Sequence, residues 1–203
     1  MKKLNLIVMT ALLFGLLQAC GGSKDSKAKA DSLNAVKDTS TKPLLQPDTA
    51  KAAVTPHIVV NTHDAKFAVD AMAGGITEVE LGKLAQEKSA NSQIKEFGAM
   101  MVADHNKANQ ELEALGQKLR IALPNAIDKD GQKIKDELSK KTGSEFDKAY
   151  VKDMIADHKE DIKVFEDAEK NCKDSDLQPF AARTIITLRK HLDAIQKIND
   201  SMK

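Results

Sequence analysis

From about residue 64 onward the chain repeats apolar residues in steps of three and four, the spacing that places them on one face of an α-helix. The clearest stripe is Ile94, Phe97, Met101, His105, Ala108, Leu112, Leu115 and Leu119. Another runs Val151, Ile155, His158, Ile162 and Phe165, and a third Leu177, Ala181, Thr184, Leu188, His191, Ile195, Ile198 and Met202. An earlier stretch, Phe67, Ala71, Gly74, Glu78, Leu81 and Ala85, has the same period around a carboxylate and is blurred by the pair Gly74 and Gly75, which is expected to permit close helix approach. The pattern predicts helices over 64–87, 91–119, 144–171 and 175–201. Asn91 and Ser175 are good N-cap residues, and Ser144 with Asp147 resembles a capping box made with Asp. The first and second helices, and the third and fourth, are joined tightly and should form antiparallel hairpins. Between them lies a long connection, 120–143, with Pro124 and a short helical stretch over 132–140. Four helices with one long central crossover predict an all-α, ferritin-like four-helix bundle.

Before residue 64 the pattern changes twice. Lys2 and Lys3 precede an apolar run from Leu4 to Leu17, shorter than the roughly 20 residues that span a bilayer, which is the form of a signal peptide. The run closes on Leu17-Gln18-Ala19-Cys20. This resembles the bacterial lipobox, with Gln18 its atypical member, and the resemblance implies cleavage before Cys20 and acylation of that cysteine. Gly21 follows where Asp would favour inner-membrane retention in many bacteria, so the resemblance points to the outer membrane, with the domain in the periplasm or at the surface. From 20 to 64 the sequence is rich in Gly, Ser, Lys, Asp, Ala and Thr without a sustained apolar period. It reads as a flexible tether whose reach as a coil is on the order of 35 Å. The expected organisation is therefore a signal peptide over 1–19, a lipidated tether over 20–64 and a bundle domain over 65–203.

The formal net charge of +1 and the lack of a basic run with interleaved aromatics exclude an electrostatic nucleic-acid partner; the expected partner is a membrane, through the lipid. Only Cys20 and Cys172 occur, so lipidation of Cys20 leaves no disulfide, and Cys172 reads as a passive residue near a helix end. No nucleophile elbow or phosphate loop is present, and nothing in the sequence supports hydrolytic catalysis. His57 and His63 fall in or beside the tether and are expected to be solvated.

The remaining histidines carry the candidate chemistry. At about 1.5 Å of rise per residue, Glu78 and His105 lie roughly 18 and 22 Å from the first turn, and His158 and His191 roughly 22 and 27 Å from the last. All four should meet near mid-bundle. Met101-Val-Ala-Asp-His105 recurs as Met154-Ile-Ala-Asp-His158. With Glu78-Val-Glu-Leu-Gly-Lys-Leu-Ala85, Phe97 to His105, Phe146-Asp-Lys-Ala-Tyr150 through His158, and Leu188-Arg-Lys-His191-Leu, the chain resembles domain-of-unknown-function family 4142, ferritin-like proteins of the bacterial envelope. The resemblance runs from Phe67 to about Lys197 and departs at Ile186, where the family is expected to carry proline. It implies a fold and a compartment, and no established activity.

Two readings of the cluster follow. In one, Glu78, His105, His158 and His191 hold a transition-metal ion such as zinc, iron or copper, with Asp104 and Asp157 orienting the ligands or bridging through water, and Met101 and Met154 adding soft donors suited to copper. In the other, the histidines hydrogen-bond to Glu78, Asp104 and Asp157 as a satisfied core. Glu80 competes with Glu78 for the inward position. Tyr150 either packs or hydrogen-bonds to a buried acid. The Glu-x-x-His pairs of di-iron ferritins are absent, because Val102, Ile155 and Leu188 stand three residues before the histidines.

Overall fold

A computed structural model of the chain describes residues 25–38 and 61–202. The expected signal peptide, Cys20, most of the tether and His57 lie outside the described residues. The helices are α1 (Ser26–Asp38), α2 (Thr62–Lys88), α3 (Ser92–Leu119), α4 (Lys129–Ser139), α5 (Gly143–Asn171) and α6 (Leu177–Ser201). No helix among the described residues is long and apolar enough to cross a membrane.

Hydrogen bonds at the two ends set the direction of each long helix. At one end, Asp64 in the first turn of α2 accepts the backbone N–H groups of Lys173 and Asp174 from the α5–α6 turn. At the other, Ser89 after α2 donates to Asp147 in the first turns of α5 at 2.6 Å, and Ser201 of α6 meets Gln93 of α3. Helices α2 and α6 therefore run one way, and α3 and α5 the other. α2 packs on α3 and α5, and α6 on the same two, so α3 and α5 are diagonal and parallel. The connection after α3 must travel the length of the bundle before α5 begins, as the single long crossover predicted.

That crossover runs along α2. Asp128 caps α4 by accepting the N–H of Gly131, Lys135 pairs with Glu80 at 2.6 Å, and Lys88 donates to the carbonyl of Ser139. Glu80 is thus turned outward, and the inward carboxylate is Glu78. α1 covers another part of α2, which corrects the expectation of a coil throughout 20–64. Ala30 is buried, Lys27 pairs with Asp70 at 2.7 Å, and Asn34 exchanges two hydrogen bonds with the backbone of Ala122. Among its described side chains the docking is mostly polar and buries Ala30 alone, so apolar periodicity carried no trace of it. Covered on several sides, α2 buries residues around most of its circumference. This is the physical reason that its stripe was the least distinct of the four.

The core divides into two apolar clusters. One, toward the α5–α6 turn, includes Phe67, Met72, Leu112, Phe165, Phe180, Ile185 and Leu188. The other, toward the α2–α3 turn, includes Leu81, Ile94, Phe97, Met101, Phe146, Tyr150, Met154 and Ile195. Ile155 and Ile162 flank the α5 stripe, whose centre is Tyr150, Met154 and His158; on α6, Phe180 and Ile185 are buried while Thr184 and Met202 are half-buried. Ile186 is 72% exposed on α6.

Caps and glycines depart locally from expectation. Asn91 caps α3 through the N–H of Gln93. The expected Ser144–Asp147 box does not form, since Asp147 is engaged by Ser89 and the N-cap of α5 is Thr142. Asp174, not Ser175, accepts the N–H groups of Asp176 and Leu177 before α6. The close approach of α2 and α3 occurs at Gly82 and Gly98, where an added Cβ would stand 2.7 Å from the Gly98 carbonyl oxygen and 2.6 Å from that of Gly82. Of the pair expected to permit close approach, Gly74 faces open space, whereas Gly75 does meet α3 closely, at the Asn109 side chain.

Because only helix separation relieves a clash with backbone, Gly98→Ala is expected to destabilise the protein by about 1–3 kcal/mol in urea unfolding. Gly74→Ala should leave stability unchanged or raise it by up to about 1 kcal/mol, the helix-propensity difference between the two residues.

Candidate functional site

The four predicted residues do converge. Glu78 from α2, His105 from α3, His158 from α5 and His191 from α6 lie in one layer between the two apolar clusters and are 2%, 5%, 0% and 0% exposed. The repeated Met-x-Ala-Asp-His segments sit on the diagonal parallel helices, so an approximate two-fold rotation about the bundle axis relates them. His105 and His158 accordingly face each other with ring centroids 6.0 Å apart and planes at 89°. The same rotation pairs the positions of Glu78 and His191.

Each imidazole is oriented by a partner at one nitrogen. His158 Nδ1 donates to the Met154 carbonyl at 3.0 Å, and His191 Nε2 donates to Asp104 Oδ2 at 2.9 Å. A neutral imidazole has one N–H, so His158 Nε2 and His191 Nδ1 present lone pairs. These two nitrogens stand 3.4 Å apart. His105 Nδ1 lies 2.9 Å from Glu78 Oε2, and its Nε2 is buried without a partner. Glu78 Oε1 lies 3.6 Å from His158 Nε2. One ring nitrogen from each of the three histidines falls within 4.8 Å of the others, and a second such group joins Glu78, Asp157 and His158.

The electrostatics favour neutral groups. Burial pushes His105 down to about 4 and His158 down to about 3, the latter helped by the other imidazoles, and it lowers His191 as well. Burial raises the carboxyls of Glu78, Asp161 and Asp157, and their mutual repulsion raises Glu78 and Asp161 further. Asp161 and Glu78 act on each other directly, and the Asp161 carboxyl, raised further by that neighbour, is held toward its protonated form. Asp161 is the residue that sequence reasoning missed. It follows His158 by three positions and so shares its face, a signal available in the sequence. Asn109 was missed likewise: it follows His105 by four, and its side chain fills the space that a Cβ on Gly75 would need.

Met101 and Met154 belong to the apolar cluster below the layer, and the pair meets the site through the Met154 carbonyl, which accepts from His158 Nδ1, rather than through sulfur. Tyr150 packs on Phe146 with ring planes at 15°, and its hydroxyl is buried without a partner. Burial and the Glu78 carboxyl hold that phenol neutral. Beside the layer is a cavity of about 80 Å³ bounded by Glu78, His105, Asp161, Gly74, Gly75 and Asn109, with Asp70, Thr184 and apolar side chains completing its wall. It has room for about two waters or a small ligand.

The fold and site define an all-helical bundle with a desolvated histidine–carboxyl layer. The sequence model of the DUF4142 family, described as a domain of unknown function, matches residues 47–198, and the chain belongs to that family. No curated protein matches it. The crystal structure of a DUF305 fragment from Deinococcus radiodurans is similar in fold, with a TM-score of 0.61 over 68% of this chain and 96% of that one, at 10% identity.

The acids and histidines act oppositely on stability. The histidine contribution is complete above the ordinary value of 6.5 and is lost as pH falls toward about 4 and 3, because the unfolded chain takes up protons first. The raised Glu78 carboxyl instead costs stability increasingly as pH rises above its ordinary 4.5. Metal-free Glu78→Gln should therefore be more stable than the parent at about pH 8, by on the order of 1–3 kcal/mol in urea unfolding, with the difference vanishing near pH 4.

Proposed function

We propose that the protein is an envelope lipoprotein, anchored through Cys20, whose bundle holds one transition-metal ion among His105, His158, His191 and Glu78. The observation that carries this reading is the 3.4 Å approach of His158 Nε2 and His191 Nδ1. Two lone pairs facing each other in a dry interior repel unless a proton or a cation lies between them. Both rings have their other nitrogen committed to an oxygen acceptor, the arrangement that fixes a ligating tautomer. A set of three imidazoles and a carboxylate suits zinc, iron or copper. A bound divalent ion would also stabilise the ionised Glu78 carboxylate against its desolvation. Asp104 and the Met154 carbonyl act as orienting groups, and Asp157 and Asp161 as carboxylates that adjust the local charge.

A second reading is a core filled by protons alone. It draws on the raised carboxyls of Glu78 and Asp161, since a protonated carboxyl in this layer can donate to the facing groups without any ion. In that case the layer specifies helix register and the protein presents its charged exterior to another envelope component.

Metal analysis of protein purified without a histidine tag separates the two. One equivalent of zinc, iron or copper per chain is expected in the parent, and loss of one imidazole through His105→Ala or His158→Ala should weaken retention by about 10–100-fold or more. Substoichiometric metal in every sample, unchanged after incubation with each ion, leaves the proton-filled core. For the anchor, Cys20→Ala is expected to abolish acyl labelling and move the protein from the membrane to the soluble fraction. Retention of the label would exclude Cys20 as the acylated residue.

A further inference from the structure

A second set of donors converges far from the mid-bundle layer, at the end where residues 61–64 enter α2. His63 and Asp64 lie in the first turn of α2, and Cys172 follows the last residue of α5. One ring nitrogen, one carboxylate oxygen and the sulfur lie within 4.8 Å of one another. His63 Nδ1 stands 3.9 Å from Cys172 Sγ and 3.8 Å from Asp64 Oδ1. The separation from Glu78 along α2 is 15 residues, or about 22 Å, so the two sets share no residue.

Two of the three donors are already oriented. His63 Nε2 meets Asp167 Oδ2 at 2.9 Å, which places its proton there and leaves the Nδ1 lone pair toward the sulfur and Asp64. This is the carboxylate–histidine pairing that positions metal-binding imidazoles. Asp64 is held by the N–H of Lys173 at 2.9 and 3.1 Å and by that of Asp174 at 2.8 Å, and Oδ1 retains a lone pair. Cys172 and Asp64 are each 1% exposed, whereas the His63 side chain is 44% exposed and faces water. About a tetrahedral zinc ion, nitrogen–sulfur and nitrogen–oxygen edges are roughly 3.3–3.6 Å. The two edges to His63 Nδ1 need to close by about half an ångström, within the reach of its half-exposed side chain.

We infer that His63, Asp64 and Cys172 form a second, sulfur-containing site for a zinc-like divalent ion, with a fourth position open to water. Binding deprotonates the Cys172 thiol to thiolate, forms the metal–sulfur bond and releases one proton to solvent. The ion ties the N-terminal turn of α2 to the α5–α6 turn, so occupancy fastens the end of the bundle at which the tether arrives. The donor chemistry differs from that of the mid-bundle layer, which places no sulfur among its polar groups.

Cobalt(II) distinguishes the two sites by that difference. In the full chain carrying Cys20→Ser, which removes the other thiol, cobalt is expected to produce an ultraviolet sulfur-to-cobalt charge-transfer band, with one proton released per chain when His105→Ala and His158→Ala are added to disable the mid-bundle layer. Cys172→Ala should abolish the band, and His63→Ala, a change at a half-exposed position that the fold tolerates, should weaken cobalt binding at this site at least about tenfold. The double variant His105→Ala/His158→Ala should keep the band, whatever happens to metal at mid-bundle. No band in the Cys20→Ser chain, a band that survives Cys172→Ala, or affinity unchanged by His63→Ala would overturn the assignment.

Discussion

The constraint on which the bundle depends is the burial of three imidazoles and several carboxyls in one layer at mid-height. A fully buried Leu or Phe contributes about 1.5–3 kcal/mol, while a buried carboxylate without a partner costs several. The apolar clusters on either side can carry such a layer only if its groups are neutral, paired or bound to a counter-charge. Every orienting contact serves that requirement: Met154 and Asp104 take the outward imidazole protons, Glu78 lies 2.9 Å from His105, and burial holds Glu78 and Asp161 toward their neutral forms. The layer also sets register. Sliding a helix by one residue would swing its polar group out of the layer and, on α3 and α5, turn Asp104 or Asn106 and Asp157 or Lys159 into its place.

The crossover and α1 follow from the direction of the helices. Because α3 and α5 run parallel on a diagonal, the chain between them must cover the bundle's length, and it does so against α2. α2 thereby becomes the most enclosed helix, able to carry Glu78 inward and Glu80 outward to Lys135. The close backbone contact at Gly82 and Gly98 draws α3 against it about one turn from Glu78 along α2 and two turns from His105 along α3. The space left at Gly74 and Gly75, partly filled by Asn109, becomes the cavity beside Glu78 and His105.

The same arrangement turns a short internal repeat into approximate two-fold symmetry, with histidine facing histidine across the axis. The second half of the layer breaks that symmetry, since Glu78 occupies the place that His191 holds on α6. The resulting group of three imidazoles and one carboxylate differs from the carboxylate-rich pattern of di-iron ferritins, although the helix connectivity is the ferritin-like one. Fold and site chemistry are separate matters here, and the similarity to the DUF305 fragment speaks only to the first.

How much of this was legible in the chain depends on the range of the interaction. Periodicity alone placed four helices, the long crossover and the mid-stripe positions of Glu78, His105, His158 and His191, because a helical repeat is local and a buried face must be apolar except where chemistry intrudes. Family resemblance agreed, and the match over residues 47–198 bears it out. Contacts between residues distant in sequence decided the rest. Whether Glu78 or Glu80 turned inward depended on Lys135 arriving from the crossover; whether Asp147 capped its own helix depended on Ser89; whether residues 26–38 formed a helix depended on Asp70 and Ala122. The proximity of His63 to Cys172 had no local signal at all, since 109 positions separate them and only the antiparallel packing of α2 and α5 brings them together.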